Sequence, residues 1–268
     1  MSLAITGASG QLGRLVAAEL SDEDLILLTR DPSKLDGARA LDFHSATPEA
    51  FAGVTRLLLI SGSEVGSRVD GHKQAVDAAV AAGVQFIAYT SIPNPSDSNP
   101  IFVAAEHRAT EEHIRASGVA WAFLRNNIYV EMQAGALQAA AATGRLVTNG
   151  GPTGFVARAD CARAAAAVLR GGDHDGREYD ITGPEALGPA ELAVIFSELA
   201  GKEITAVQVD DEAFAAGLVE HAGMPEEIAE VISTFGTGAR LGYSAVVSTA
   251  VKDLTGRDPL TLRDILAG

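Results

Sequence analysis

The sequence predicts an α/β fold, a doubly wound parallel sheet with a smaller C-terminal α/β lobe. Two observations carry this expectation. Short, continuously apolar runs alternate with helical runs through the first half of the chain, the pattern of parallel strands buried on both faces. A glycine-rich turn, Thr6-Gly7-Ala8-Ser9-Gly10-Gln11-Leu12-Gly13, joins the first apolar run, Leu3–Ile5, to the first helical one. That helix is expected over Gln11–Leu20, with Leu12, Leu15, Val16 and Leu20 on one face. Leu25–Thr29, Leu57–Ile60 and Val84–Ser91 read as buried strands, and Ala38–Phe43 as a third strand between them. Arg68–Ala82 has Val69, Val76 and Val80 at helical spacing among alanines. Helix Ile101–Ser117, strand Val119–Leu124 and helix Tyr129–Thr143 complete an expected nucleotide domain over residues 1–147.

The second half is less regular. Thr148–Gly154 reads as a loop, and Asp160 as the cap of a helix over Cys161–Leu169. Short strands at Arg177–Ile181 and Glu203–Val209 flank helix Pro189–Ala200, and further helices are expected at Glu212–His221 and Pro225–Phe235. Residues 148–268 are therefore expected to form mainly a smaller substrate lobe, with some segments returning to the first domain.

Composition narrows the function. The chain has 268 residues, 47% of them hydrophobic, enough for a sizeable core. The formal net charge of −15 disfavours nucleic acid or an anionic membrane as a general partner. Cys161 is the only cysteine, which excludes an intramolecular disulfide and a cysteine metal cluster. The six histidines show no paired helical spacing near carboxylates, so no metal site is expected. No apolar run approaches the roughly 20 residues of a membrane span. The first strand starts at Leu3, leaving no room for a leader, so a soluble, cytoplasmic protein is expected.

Glycines in a strand–turn–helix context let the backbone turn sharply and approach a pyrophosphate, with the helix N–H groups facing it. The turn therefore predicts dinucleotide binding. The residue closing the second strand selects the dinucleotide: an acid there bonds a ribose 2′-hydroxyl, and an arginine accommodates a 2′-phosphate. Here the strand ends Thr29-Arg30-Asp31-Pro32-Ser33-Lys34, and Arg30 favours NADPH over NADH. Asp31 either pairs with Arg30 or contacts a ribose. Asp42 and Phe43 are placed to contact adenine, and Phe43 fits a core position equally well.

The glycine turn, Leu58–Arg68 (Leu-Leu-Ile-Ser-Gly-Ser-Glu-Val-Gly-Ser-Arg), Ala82–Ser91 (Ala-Gly-Val-Gln-Phe-Ile-Ala-Tyr-Thr-Ser) and Leu124-Arg125-Asn126-Asn127 followed by Tyr129 together resemble the NmrA-like branch of the atypical short-chain dehydrogenases. Within it they are most similar to the bacterial type-2 NAD(P)H:quinone oxidoreductase group. The resemblance runs over nearly the whole chain and is sharpest in the first 130 residues. It implies a Rossmann-like domain, preference for NADPH, no flavin, and two-electron reduction of small quinones or similarly flat acceptors. By the same resemblance Gly7, Ala8, Ser9, Gly10, Gln11 and Leu12 hold the pyrophosphate and Arg30 the 2′-phosphate. Ser61, Gly62 and Ser63 border the cofactor, joined by Arg68, Tyr89 and a loop through Asn149 and Gly150. Each has a plainer reading: a strand end at Ser61, a solvated helix residue at Arg68, a packed aromatic at Tyr89, a connector at Asn149.

The wider superfamily donates a proton from a tyrosine, with a lysine four residues on and a serine nearby. Ser91 matches the serine, but Val103 and His107 stand where the pair belongs. Ordinary carbonyl reduction is thereby disfavoured. Quinone reduction tolerates the loss, because its product is a weakly basic hydroquinone anion. Ser91, His107 and Tyr129 are the candidate catalytic residues, and Ile92, Asn127 and Tyr129 the candidate substrate contacts. Two alternatives remain open: a non-catalytic NADP(H) sensor of the NmrA type, and a reductase of dyes or imines. A homodimer is compatible with the fold, and the chain itself carries no signal for it.

Overall fold

A computed structural model describes residues 2–64 and 66–267; Met1, Val65 and Gly268 lie outside the described residues. In chain order, the first half contains β1 (Leu3–Ile5), α1 (Gln11–Glu19), β2 (Leu25–Thr29), β3 (Arg39–Ala40), β4 (Arg56–Leu59), α2 (Arg68–Ala81), β5 (Phe86–Ser91), α3 (Ala104–Ala116) and β6 (Ala120–Asn126). The second half contains α4 (Ala134–Thr143), β7 (Arg145–Thr148), α5 (Arg158–Arg170), β8 (Arg177–Ile181), α6 (Pro189–Ala200), β9 (Thr205–Gln208), α7 (Asp211–Ala222), α8 (Glu226–Arg240), α9 (Ala250–Thr255) and α10 (Leu262–Leu266).

Seven strands form one parallel sheet in the order β3-β2-β1-β4-β5-β6-β8, so the winding reverses between β1 and β4. Side chains alternate across this sheet. Phe86 and Ala88 join Leu3, Ile5, Leu58, Ala122 and Leu124 beneath α1 and α5, where Leu12, Val16, Ala162 and Ala165 are buried. Ile87 and Tyr89 join Ala4, Leu57, Leu59 and Phe123 on the other face, covered by Ala75, Val76 and Ala79 of α2 and Ile114 of α3. Cys161 is buried in α5, a packing position, and burial raises its thiol pKa well above the usual range. A separate pair, β7–β9, is parallel in register Arg145↔Thr205 and lies with α4 and α6 over a third core containing Phe155, Leu187, Phe196 and Ile204. No helix among the described residues is long and apolar enough to cross a membrane.

Several local expectations are corrected. The third strand shrinks to Arg39–Ala40, both exposed, because the Asp42 carboxylate accepts the His44 N–H and turns the chain off the sheet at Phe43–Ser45. The helix expected over Tyr129–Thr143 starts as a 3₁₀ turn at Val130–Gln133 and becomes α-helical only at Ala134. Arg145–Thr148 is a strand whose partner lies 60 residues away in register, a pairing that local pattern does not announce. Helix α8 continues past Phe235 to Arg240, and α9 and α10 are additional. Asp160 is not a cap. It lies inside the first turn of α5, fully buried, paired with Arg163 and accepting the Leu260 N–H at 2.8 Å.

Candidate cofactor groove and active site

The winding reversal opens a groove at the carboxyl ends of β1, β2 and β4, the crevice where open α/β sheets take ligands. It has a volume of about 340 Å³ and is lined by the glycine turn, the residues after β2, Leu41–His44, Ile60–Glu64 and Arg68. Gly7 has φ +60°, a conformation open to glycine, and its carbonyl accepts the Gly10 N–H at 2.9 Å. A Cβ on Gly13 would collide with that carbonyl and come within 2.8 Å of the Ala8 Cα, so α1 can pack this closely only with glycine there. Gly10 brings no capping side chain to α1, and Gln11, Leu12 and Gly13, whose first-turn N–H groups have no intrahelical acceptor, line the groove. Ser9 also lines it, its hydroxyl 2.8 Å from that of Thr29. Ala8 does not. Its N–H donates to the Leu28 carbonyl and its side chain is buried.

At the end of β2, Asp31 pairs with Lys34 and not with Arg30. Its carboxylate accepts the Ser33 N–H and hydroxyl and pairs with Lys34 at 3.5 Å, which holds its pKa below the usual carboxylate range. Arg30 is left to the groove, where it pairs with Glu64. Phe43 lines the groove half-buried, edge-on to His72 at 5.5 Å between ring centroids.

The loop after β4 is braced from beneath. Thr6 Oγ1 accepts the Ile60 N–H at 2.8 Å and Thr90 Oγ1 accepts that of Ser61 at 2.9 Å. The Gly62 N–H donates to His72 Nε2 at 2.9 Å, and the Gly62 carbonyl accepts from Arg68 Nη1, which also reaches Ser61 Oγ. Thr110 Oγ1 donates to the Glu106 carbonyl and must accept from His72 Nδ1, so His72 is the neutral Nδ1–H tautomer. Burial above all, then the charge of Arg68, pushes its pKa down to about 3. Arg68 is buried and ion-paired with Glu106 at 2.9 Å, and its Nη2 has no hydrogen-bond partner among the described residues.

The remaining candidates lie beyond the groove. Tyr89 is fully buried, and its hydroxyl lies 2.9 Å from His107 Nδ1. Burial raises the tyrosine to about 12 and takes His107 well below the usual imidazole range. Ser91 is buried at the end of β5, and its hydroxyl lacks a partner among the described residues. On the other sheet face, Asn126 donates to the Tyr129 hydroxyl at 3.3 Å while its own Oδ1 is buried without a partner among the described residues. Arg158 lies 4.7 Å over the Tyr129 ring. Ile92 packs with Ile101, Val103 and Phe235. Asn127 has both amide ends engaged, with the Ser244 carbonyl and the Ile128 N–H. Asn149 is buried against Gly236, donating to Asp211 and Ser233, and Gly150 N–H donates to Thr148; neither residue lines the groove.

Sequence reasoning missed His72, Thr90, Glu106, His44 and Glu64. For His72 a signal existed: Arg68, His72, Ala75 and Ala79 follow helical spacing along one buried stripe of α2.

Fold and groove define a doubly wound, nucleotide-binding α/β protein. The chain belongs to the NAD(P)H-binding family, whose model matches residues 7–171. It is 34% identical to quinone oxidoreductase 2 of Escherichia coli over 277 aligned residues, 98% of this chain and 96% of that protein. The structure of that NADPH-dependent enzyme complexed with NADPH superposes with a TM-score of 0.93 over 99% of this chain and 98% of the other. The triphenylmethane reductase of Citrobacter sp. complexed with NADP(H) is 33% identical, with a TM-score of 0.91 over 99% of both chains.

Proposed function

We propose that this chain is a flavin-free, NADPH-dependent reductase of small quinones or similarly flat acceptors, working by direct hydride transfer. The observation that carries it is the groove: an uncapped helix N-terminus behind a glycine turn, with Arg30 rather than an acid at the position that reads the ribose. The likeness to quinone and dye reductases over the full chain supports the choice of acceptor.

The residues fit a dinucleotide phosphate. N–H groups of Gln11, Leu12 and Gly13 would take the pyrophosphate, Arg30 a 2′-phosphate, and the unpartnered Nη2 of Arg68 a further acceptor atom. When bound, NADPH supplies the hydride. The chain's task is to align the acceptor and keep water out, and the lobe built on β7–β9, α6 and α8 supplies the acceptor side. Hydride arriving on a quinone leaves an aromatic, weakly basic oxyanion, so no strong acid is required. His107, neutral and held by Tyr89, serves as a hydrogen-bonding group and not as an acid. Ser91 and Asn126 carry buried polar atoms still open to a ligand.

The test is NADPH oxidation by the purified chain against benzoquinones and naphthoquinones without added flavin, with NADH in parallel. Enzyme-dependent turnover with NADPH preferred is expected. Arg30→Ala should weaken NADPH by ~10-fold or more and NADH by less than ~2-fold. Tight NADPH binding with no turnover on any acceptor would overturn the reductase reading in favour of an NADP(H) sensor.

A further inference from the structure

The carboxylate of Glu64 occupies an anion position inside the groove. One oxygen takes Arg30 Nη1 and the other lies 3.1 Å from His44 Nε2, so two donors from different segments close on a single anion. All three residues line the groove. His44 is held in place by more than this contact. Its backbone N–H donates to Asp42 Oδ1 at 3.0 Å, and its ring rests on Gly71 of α2, where a Cβ would stand 3.2 Å from its Cε1 and Nε2. The other cation beside Arg30, Lys34, is engaged by Asp31.

We infer that Glu64 is a specificity-determining residue: its carboxylate competes with the 2′-phosphate of NADPH for Arg30, so the chain discriminates against NADH less than Arg30 alone would dictate. The inference rests on the NADPH reading above and adds to it a residue of opposite sign. A doubly charged phosphate approaching Arg30 meets the Glu64 charge at close range. It must either displace that carboxylate from both donors or bind beside it against like-charge repulsion. A ligand ending in a free 2′-hydroxyl meets neither obstacle, because a carboxylate accepts that hydroxyl's hydrogen bond. Glu64 therefore lowers affinity for the phosphorylated ligand selectively. Glu64→Gln keeps the shape and one acceptor oxygen while removing the charge. The side chain is 44% exposed, so the fold does not depend on it.

The experiment is calorimetric titration of the full chain, its Glu64→Gln variant and its Arg30→Ala variant with adenosine 2′,5′-bisphosphate and with adenosine 5′-monophosphate. NADPH and NADH follow as whole-cofactor checks, and thermal midpoints confirm folding. Glu64→Gln is expected to tighten the 2′-phosphorylated ligands by ~5-fold or more, leaving the others within ~2-fold. If Glu64→Gln leaves every affinity unchanged, or tightens all four ligands equally, while Arg30→Ala still abolishes the 2′-phosphate preference, the inference about Glu64 falls and the NADPH reading stands. If the unaltered chain shows no 2′-phosphate preference and Arg30→Ala changes nothing, the NADPH reading falls and takes the inference with it.

Discussion

His72 and His107 show how little a residue's type says about its charge. Both are buried, one on α2 and one on α3, and each finds its partner across an inter-element contact: the Gly62 N–H and Thr110 for His72, the Tyr89 hydroxyl for His107. Burial is the first cause of their lowered pKa values, with the Arg68 charge second. An unfolded histidine titrates near 6.5, whereas folded His72 does so at about 3. Between those values the unfolded chain binds protons that the folded chain refuses. Stability is therefore complete above about pH 6.5 and falls as pH drops below it. Urea unfolding at about pH 7 and about pH 5 should show a loss on the order of 2 kcal/mol from His72, with His107 acting in the same direction. Carboxylates held low, such as Asp31, add their own loss only in more acidic solution. Equal stability at both values would mean that these imidazoles take up protons in the folded chain as readily as in the unfolded one.

At the scale of elements, the strand–turn–helix unit β1–α1 carries its whole logic in eight consecutive residues. Gly7 supplies the left-handed turn, Gly10 the bare N-terminus and Gly13 the close packing. Gly13→Ala would press a methyl into backbone that cannot move aside, the Gly7 carbonyl and the Ala8 Cα. It should cost about 1–3 kcal/mol in chemical unfolding and lower NADPH affinity by more than ~10-fold. A variant of unchanged stability and affinity would show that the close packing is not required. Elements whose form depends on partners were harder to read. Ala38–Phe43 has strand composition, yet Asp42 bends the chain away after two paired residues. Asp160 has the chemistry of a cap, yet its oxygens serve Arg163 and the distant Leu260 N–H.

At the scale of the whole molecule, a chain of net charge −15 brings Arg30, Lys34 and Arg68 to one groove, beside Asp31, Asp42 and Glu64. Net charge thus bears on partners of the molecule as a whole, while an anionic ligand in the groove meets individual donor groups. The C-terminal half is joined to the rest in a comparable way. Asn149, at the end of β7, donates to Asp211 at the start of α7 and to Ser233 within α8, and Arg240 reaches both the Asn149 carbonyl and Asp211. This clamp holds the α7–α8 hairpin, whose Phe235 packs against Ile101 and Val103. Asn149→Ala should destabilise the chain by about 1–3 kcal/mol and speed amide exchange across α7 and α8 before the seven-stranded sheet is affected. Unchanged exchange in the hairpin would show that the clamp does not hold it.

What the sequence alone determined is whatever local spacing dictates: the run of parallel strands, the glycine turn, and Arg30 at the end of β2. These follow from periods of two and 3.6 residues and from backbone freedom at glycine, properties of neighbours in the chain. Only the tertiary structure decided that Arg68 is a buried brace, that Tyr89 addresses His107, that Asn149 belongs to a clamp, and that Glu64 lies between Arg30 and His44. Each of those outcomes depends on a partner at least 18 residues away in sequence, Arg68's bond to its own loop apart, and the first three depend on burial as well. Polar groups withdrawn from water take whichever partner the packing brings within hydrogen-bond reach, and that partner is a property of the fold.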